Sequence, residues 1–438
     1  MQKKSLYILS SILLVDLIGF AIIVPILPEL LDYYLKQEHA KPLMHWLQNH
    51  AQWFKPLVQD INVPGSNVPD SGVHTTFHTT VLLGCLLSAL YAFFQFLFTP
   101  IWGRLSDHYG RKSVLLFIAY ISILNYLLWI FSGVLWLFLI VRMASGGIAG
   151  KISVIMAAVS DLTSENKRMK GMTIVTSAFS VAAIFGPAAG GLAFAFNLTE
   201  ILPGSTALGI TPFSSVALVG LVLSIISCFI LHNYQEDQSA RHQAPPKPCN
   251  KQTHYAMRFV YLCIVYFLLM SGFAGIEATF SFLILERLLY NASEIAVLLT
   301  MVSLSVLLMQ WALLYRYADR IGVKKVVAIG IIMIATGSFI VGNARITSLF
   351  YVGLVLASGG AAAVISSFSA LASFYASHEN RGGAMGIFRA LSSLARTCGP
   401  VLIGLVYFSY GSQVVYLLAS LLFLLVLVLA QAIYYRRS

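Results

Sequence analysis

Two carboxylates and four cations interrupt long apolar runs of this sequence: Asp16 and Glu277, then Arg142, Lys151, Arg389 and Arg396. An ionised group in hydrocarbon costs about 3 kcal/mol at mid-bilayer on insertion scales, so each of these needs a partner or a task. Spacing narrows the tasks. Asp16 lies about ten residues from one end of its run and Lys151 about nine from the corresponding end of its own; at 1.5 Å per helical residue they share a depth of roughly 15 Å. They pair if their helices are neighbours. A buried carboxylate beside a cation is also the part a proton-coupled carrier needs, because a change of partner tips it between ionised and protonated forms. Asp16 is the first candidate for that switch. Arg389 and Arg396 are seven apart, about 20° from one helical face, with Ser392 between them, which makes a basic, hydroxyl-bearing stripe. For all six groups the competing reading is a static ion pair, or, for Arg142, Glu277 and Arg389, a side chain snorkelling to a nearby helix end.

Other chemistry finds no constellation. SGGIAGKI, Ser145 to Ile152, has the Gly-Lys of a phosphate-binding loop but neither its first Gly nor the following Ser/Thr, and it lies inside an apolar run. Ser164 and Lys167 have the spacing of penicillin-recognising enzymes without the partner motifs. His74 and His78 stand at i, i+4 with no Cys or carboxylate cluster to complete a metal site. Four of the five Cys fall in apolar runs and Cys249 in a polar stretch, so no disulfide framework is expected. The sequons Asn197-Leu-Thr199 and Asn291-Ala-Ser293 sit against helix ends and read as chance. No enzyme, metal or cofactor is expected, only a proton gradient as energy source.

The elements that must hold these groups are membrane helices. The chain has 438 residues, 58% hydrophobic and 10% charged, with a mean hydropathy of +0.81; soluble domains carry about 25% charged residues. The net charge of +11 reflects basic loops on one membrane face rather than nucleic-acid binding. About twelve spans are expected, near 6–31, 79–101, 113–132, 135–159, 171–196, 213–232, 257–285, 294–315, 324–342, 347–373, 384–408 and 413–434. The first continues past Pro25 without a cleavage pattern and reads as a retained helix. Lys and Arg concentrate at the two ends and the even-numbered connections, which places both termini in the cytoplasm. The expected architecture is an all-α polytopic membrane protein: a bundle over 1–232 with a long outer loop at 36–78, a cytoplasmic linker at 233–256, and a second bundle over 257–438. The outer loop opens with aromatic residues at near-helical spacing, as an interfacial helix does.

The two bundles are related. GRLSDHYGRKSV, Gly103 to Val114, recurs as YRYADRIGVKKV, Tyr315 to Val326, and ENKRMKG at Glu165 recurs as ENRGGA at Glu379. ENKRMKG and ENRGGA are each followed by a Gly-Pro pair, Gly186-Pro187 and Gly399-Pro400. In Gly186-Pro187-Ala-Ala-Gly190-Gly191 the proline removes a backbone donor and the glycines leave a flat face, so a neighbouring helix approaches closely and the span bends.

These motifs together resemble the major facilitator superfamily along nearly the whole chain. DLIGFAIIVPILP, Asp16 to Pro28, is similar to the first-helix signature of its drug:proton antiporters, tetracycline efflux carriers included; GRLSDHYGRK resembles the loop motif between helices two and three; Arg142 with Gly146 resembles the fourth-helix motif; GPAAGG resembles the fifth-helix antiporter motif. DYY, the Trp-rich outer loop and GIEATFSFL point to the tetracycline-transporter-like branch that includes an organic-anion efflux carrier. The resemblance implies two pseudo-symmetric six-helix bundles, and it implies a gate built by Gly103, Asp107, Gly110, Arg111, Lys112 and Asp161. In it Asp107 caps a helix end across the domain interface and Arg111 pairs with Asp161. It further implies that helices one, four, seven and ten line a cavity, with Asp16 and Glu277 as proton-coupling groups. The sequence departs from the pattern at Lys151, uncharged in tetracycline carriers, at Ser145, and at Val323, where the second copy lacks a counterpart of Arg111. Tetracycline is therefore not the expected substrate.

The resemblance implies a monomeric, proton-coupled exporter in a bacterial inner membrane, and the surplus of basic groups leads to the expectation of a negatively charged or zwitterionic cargo. Its small-molecule substrate is an amphipathic organic anion or zwitterion, held by Lys151, Arg142, Arg396, Arg389 and Ser392. The alternatives are a multidrug exporter of cationic lipophiles leaning on Asp16 and Glu277, a metabolite or siderophore carrier, and a receptor that kept the fold without transport.

Overall fold

The computed structural model describes residues 2–37, 72–162, 165–201, 208–234, 253–310, 323–375 and 381–435, with a few isolated positions between them. All described elements are helices: α1 (Gln2–Ala21), α2 (Leu27–Leu35), α3 (Gly72–Tyr109), α4 (Arg111–Ile130), α5 (Leu135–Ala149), α6 (Ile152–Leu162), α7 (Glu165–Phe194), α8 (Leu198–Ile201), α9 (Ser214–His232), α10 (Thr253–Leu288), α11 (Ala292–Gln310), α12 (Val323–Asn343), α13 (Thr347–Tyr375) and α14 (Arg381–Tyr435). Among the described residues, ten stretches are long and apolar enough to span a bilayer. One of them, in α14, holds two helices joined at Gly411 (φ 76°), and the shorter apolar Ser5–Ala21 completes twelve. Most of the outer loop, of the linker and of the Tyr315–Val326 repeat lies outside the described residues.

The helices are inverted relative to those of a soluble protein. On α4, Phe117, Tyr120 and Leu124 are exposed, whereas the buried face carries Ser122 and Asn125 between Ile118 and Trp129. An apolar face turned outward and a more polar face turned inward is the arrangement a lipid solvent selects.

Contacts group the chain into two compact units. The first takes Met1–Lys41, Leu90–Ala244 and Tyr290–Thr300; the second takes Pro42–Ala89, Pro245–Leu289 and Met301–Ser438. In the first, α1 packs mainly on α7 and α9, and α4 on α9; in the second, α10 packs on α14, and α12 on α13 and α14. The repeated Gly-Pro pairs serve the same contact in each. A Cβ on Gly186 would stand 2.3 Å from Ala21 Cβ of α1, and one on Gly399 would stand 2.1 Å from the Ser271 carbonyl oxygen of α10. The core of the first unit is Leu9, Ile12, Leu13, Ile118, Val154 and Leu231, all nearly inaccessible.

Two spans expected to run unbroken are interrupted. The first span ends its helix at Ala21, passes Ile22–Ile26 as a turn containing Pro25, and resumes as α2. Pro25 has no N–H to continue the helix, and Gly190 on the neighbouring helix makes room for the turn: a Cβ on it would stand 2.1 Å from the Ile22 carbonyl oxygen. Only glycine admits the turned backbone there. The fourth span is cut into α5 and α6 at Gly150–Lys151.

Both sequons proved to be helix caps. Asn197 Oδ1 accepts from the Thr199 backbone N–H (3.1 Å) at the start of α8. Asn291 Oδ1 accepts from Glu294 N–H (2.9 Å) while Glu294 Oε2 accepts from Asn291 N–H (2.8 Å), a reciprocal capping box on α11. The next amide of that turn, Ala292 N–H, donates to Glu29 Oε1 of α2 at 2.6 Å.

Candidate functional site

Lys151 owes its position to the glycines before it. Gly146, Gly147 and Gly150 weaken the helix, and the chain tightens to three-residue turns: Gly150 N–H donates to Gly147 O (3.2 Å), Lys151 N–H to Ile148 O (3.1 Å) and Ser153 N–H to Gly150 O (3.1 Å). The Trp102 indole N–H donates to Gly147 O at 2.8 Å, so the loosened carbonyl keeps a partner. From this break Lys151 Nζ reaches Asp16 Oδ2 on α1 at 2.7 Å, with the two side chains only 8% and 11% exposed. The shared depth read from helical rise is thus a direct contact. SGGIAGKI, which looks like part of a phosphate loop, is a helix break that presents a lysine.

The pair sits in the wall of a cavity of about 70 Å³, bounded also by Tyr91, Asn125, Tyr126 and Arg142. Pockets that take whole drug-sized ligands measure about 300–1,000 Å³, so this space suits a headgroup rather than a molecule. Arg142 does not snorkel to a helix end. It is 7% exposed, with its guanidinium carbon 5.2 Å from the centroid of the Tyr91 ring, and Tyr91 stacks on Phe20 at 4.8 Å. Asn125 Nδ2 donates to Ser145 Oγ (2.9 Å), and Tyr126 OH donates to Gly19 O of α1 (2.8 Å). Sequence reasoning missed Ser122, Asn125 and Ser224 on this wall. A signal existed, since Ser122 and Asn125 are three apart on one face of an otherwise apolar helix.

In the second unit Arg396 reaches Glu277 Oε2 at 3.4 Å, with both side chains about two-fifths exposed (42% and 43%). That pairing was not foreseen. Ser392 bonds the Tyr266 hydroxyl, whose ring stacks on Phe388 at 4.3 Å. Arg389, exposed, makes no ion pair among the described residues. At the far end of α10, Glu286 accepts from Tyr407 OH and from Ser412 Oγ (2.9 Å), and His78, a member of the candidate metal pair, packs edge-on against Tyr407 at 5.9 Å.

The loop motif folds back on itself. Arg111, at the start of α4, meets Asp107 Oδ1 (2.6 Å), Asp161 Oδ2 (3.1 Å) and Ser106 Oγ (2.5 Å). Lys112 Nζ donates to the His232 carbonyl (2.9 Å), at the carboxyl end of α9 where a cation is favoured. Gly110 joins α3 to α4 at φ 94°, a conformation that only glycine adopts without strain. One arginine thus ties the ends of three helices. Arg111→Glu is expected to set three like charges against one another, slowing substrate exchange at least about tenfold while leaving ligand affinity within about twofold. Arg111→Glu/Asp161→Arg restores part of the rate. Exchange in proteoliposomes with parallel equilibrium binding checks both, and lost binding would count against a gating role.

A model of the Major Facilitator Superfamily matches residues 9–283 and again residues 262–438. Among curated proteins, major facilitator superfamily domain-containing protein 10 of Mus musculus is 28% identical over 97% of this chain and 91% of its own length. Tetracycline resistance protein class H of Pasteurella multocida is 25% identical over 98% and 96%. Among solved structures, the human organic anion transporter MFSD10 (TETRAN) superposes with a TM-score of 0.72 at 25% identity, over 98% of this chain and 99% of that one. A bacterial homolog of the human lysosomal transporter Spinster shares the fold, with a TM-score of 0.69 at 12% identity over 99% and 96%.

Proposed function

The chain belongs to the Major Facilitator Superfamily, and from that membership we propose that this multi-pass membrane transporter is a proton-coupled exporter of amphipathic organic anions or zwitterions. The observation that carries the reading is the Asp16–Lys151 pair, buried in the wall of a cavity that also holds Arg142. Two cations face one carboxylate there, so the site favours a negative guest. Asp16 is ionised while Lys151 faces it, and a carboxylate whose cation turns away in a low-dielectric wall is the group that accepts a proton, so the pair gives the carrier a proton-free and a proton-loaded state. In the proposed antiport the carrier returns with the proton on Asp16 and its substrate site empty, and leaves with substrate bound and the pair re-formed. Glu277 and Arg396 repeat the arrangement with a more exposed pair. The names of the relatives, an organic anion transporter and tetracycline resistance proteins, agree with export of such compounds. The proposed setting is a bacterial inner membrane with both termini cytoplasmic. The proposed motion is a rocking of the halves 1–232 and 257–438 about a midplane site.

Proteoliposomes loaded with an aromatic carboxylate test this. Its outward gradient is expected to acidify the lumen, whereas protein-free vesicles, in which only the neutral acid leaks out and takes its proton along, turn alkaline, and an outward gradient of a cationic lipophile is expected to do nothing. Acidification driven by the cation alone would overturn the anion reading in favour of a multidrug carrier that leans on Asp16 and Glu277.

A further inference from the structure

Deepening the anion reading, on which it rests, we propose that the cavity of the first unit is the receptor for the substrate's carboxylate head, with Arg142 as its anchor and Lys151 left to Asp16. Lys151 is already satisfied at 2.7 Å. Arg142 has no carboxylate within ion-pairing distance among the described residues, and its buried Nε–H has no hydrogen-bond partner. The Tyr91 ring face offers it a partial substitute for an anion. A cation buried this deeply without a counterion costs several kcal/mol, which a bound anion removes.

The remaining unpartnered groups of the same wall agree on the guest. Ser122 Oγ on α4 and Ser224 Oγ on α9, 3% and 4% exposed, have no partner. Each is a hydroxyl able to donate to an oxyanion. Asn125, held through its Nδ2 by Ser145, also presents an unpartnered Oδ1, which accepts from a hydroxyl, N–H or water beside the head. Single positive charge, a planar two-pronged donor and two hydroxyls match a monoanionic carboxylate better than a dianionic phosphate, whose second charge would stay unpaired. The volume of about 70 Å³ admits that head, and Phe20 and Tyr91 in its lining offer stacked aromatic surface to the start of an attached ring.

The test uses the full chain purified in detergent, with 2-naphthoate and its neutral isostere 2-naphthamide as probes and thermal shift and calorimetric titration as readouts. Naphthoate is expected to bind and stabilise, and naphthamide is not. Arg142→Gln should weaken naphthoate at least about tenfold, Arg142→Lys should recover only part because an ammonium lacks the two-pronged geometry, and Ser122→Ala and Ser224→Ala should each cost roughly threefold to tenfold. Should Arg142→Gln fail to fold, the two serine variants decide, and unchanged affinity in both overturns the proposal. Wild-type affinity in Arg142→Gln together with its loss in Arg396→Gln overturns the proposal and leaves the anion reading standing. A wild-type protein that ignores naphthoate yet binds a cationic lipophile overturns both. Stabilisation by chloride with no further gain from naphthoate overturns it as well, assigning the cavity to an inorganic ion.

Discussion

Asp16→Asn and Lys151→Ala are each expected to destabilise the protein by about 3–5 kcal/mol and to abolish coupled transport, whereas Asp16→Asn/Lys151→Gln regains most of the stability and none of the transport. Removing one partner strands the other charge in a wall where both side chains are nearly inaccessible, and breaking a buried pair costs that much because nothing compensates the survivor. Neutralising both removes the stranded charge, so the fold recovers. Transport does not, because the proton-accepting carboxylate and the cation it exchanges are both gone. Thermal unfolding and substrate-driven lumen acidification, measured on all three variants, separate this from a static tie between α1 and α6. Recovery of transport in the double variant would mean that the pair only holds helices together.

The second large effect is mechanical. Gly190→Ala is expected to lower stability by about 3 kcal/mol or more and to cut the yield of folded protein, whereas Gly103→Ala leaves both unchanged. At Gly190 a single methyl would lie 2.1 Å from the Ile22 carbonyl oxygen. That neighbour is backbone in the turn that breaks the first span, so it cannot rotate away as a side chain does. Overpacking of a tight interface costs about 1–3 kcal/mol even where side chains can move. A methyl on Gly103 meets nothing within 4 Å. The two substitutions add the same atom to glycines of two repeated motifs, so the contrast isolates packing from propensity. Equal melting temperatures would refute the close approach.

How far the sequence reaches is clear from particular residues. The shared depth of Asp16 and Lys151 was legible because helical rise is a fixed 1.5 Å, and depth in a bilayer follows from counting. Which face each side chain takes was not, because a span that is apolar all round has no moment to orient it. That is why Glu277 and Arg396, 119 positions apart, met without warning. The helix breaks escaped for a related reason. Hydropathy registers the apolar run through Ile22–Ile26 and Gly150–Lys151 as continuous, although the backbone turns in both. Pro25 marks the first break and the glycines mark both, yet the glycines also fit a packing surface in α7 and part of a phosphate loop before Lys151. Ser122, Asn125 and Ser224 were lost to averaging, each being a lone small polar residue among leucines and isoleucines. The repeat, the spans and the Gly-Pro contacts were legible because they depend on composition and spacing alone.

The stretch from Leu135 to Val159 is the least hydrophobic of the ten candidate spans, and it carries both Arg142 and Lys151. Each cation raises the cost of partitioning a nascent helix from the translocon into lipid by about 2.5–3.5 kcal/mol. The first helix, with Asp16 already at matching depth, is made and inserted before it and offers Lys151 a counterion on arrival. The ion pair therefore offsets part of the cost of placing the fourth span in lipid.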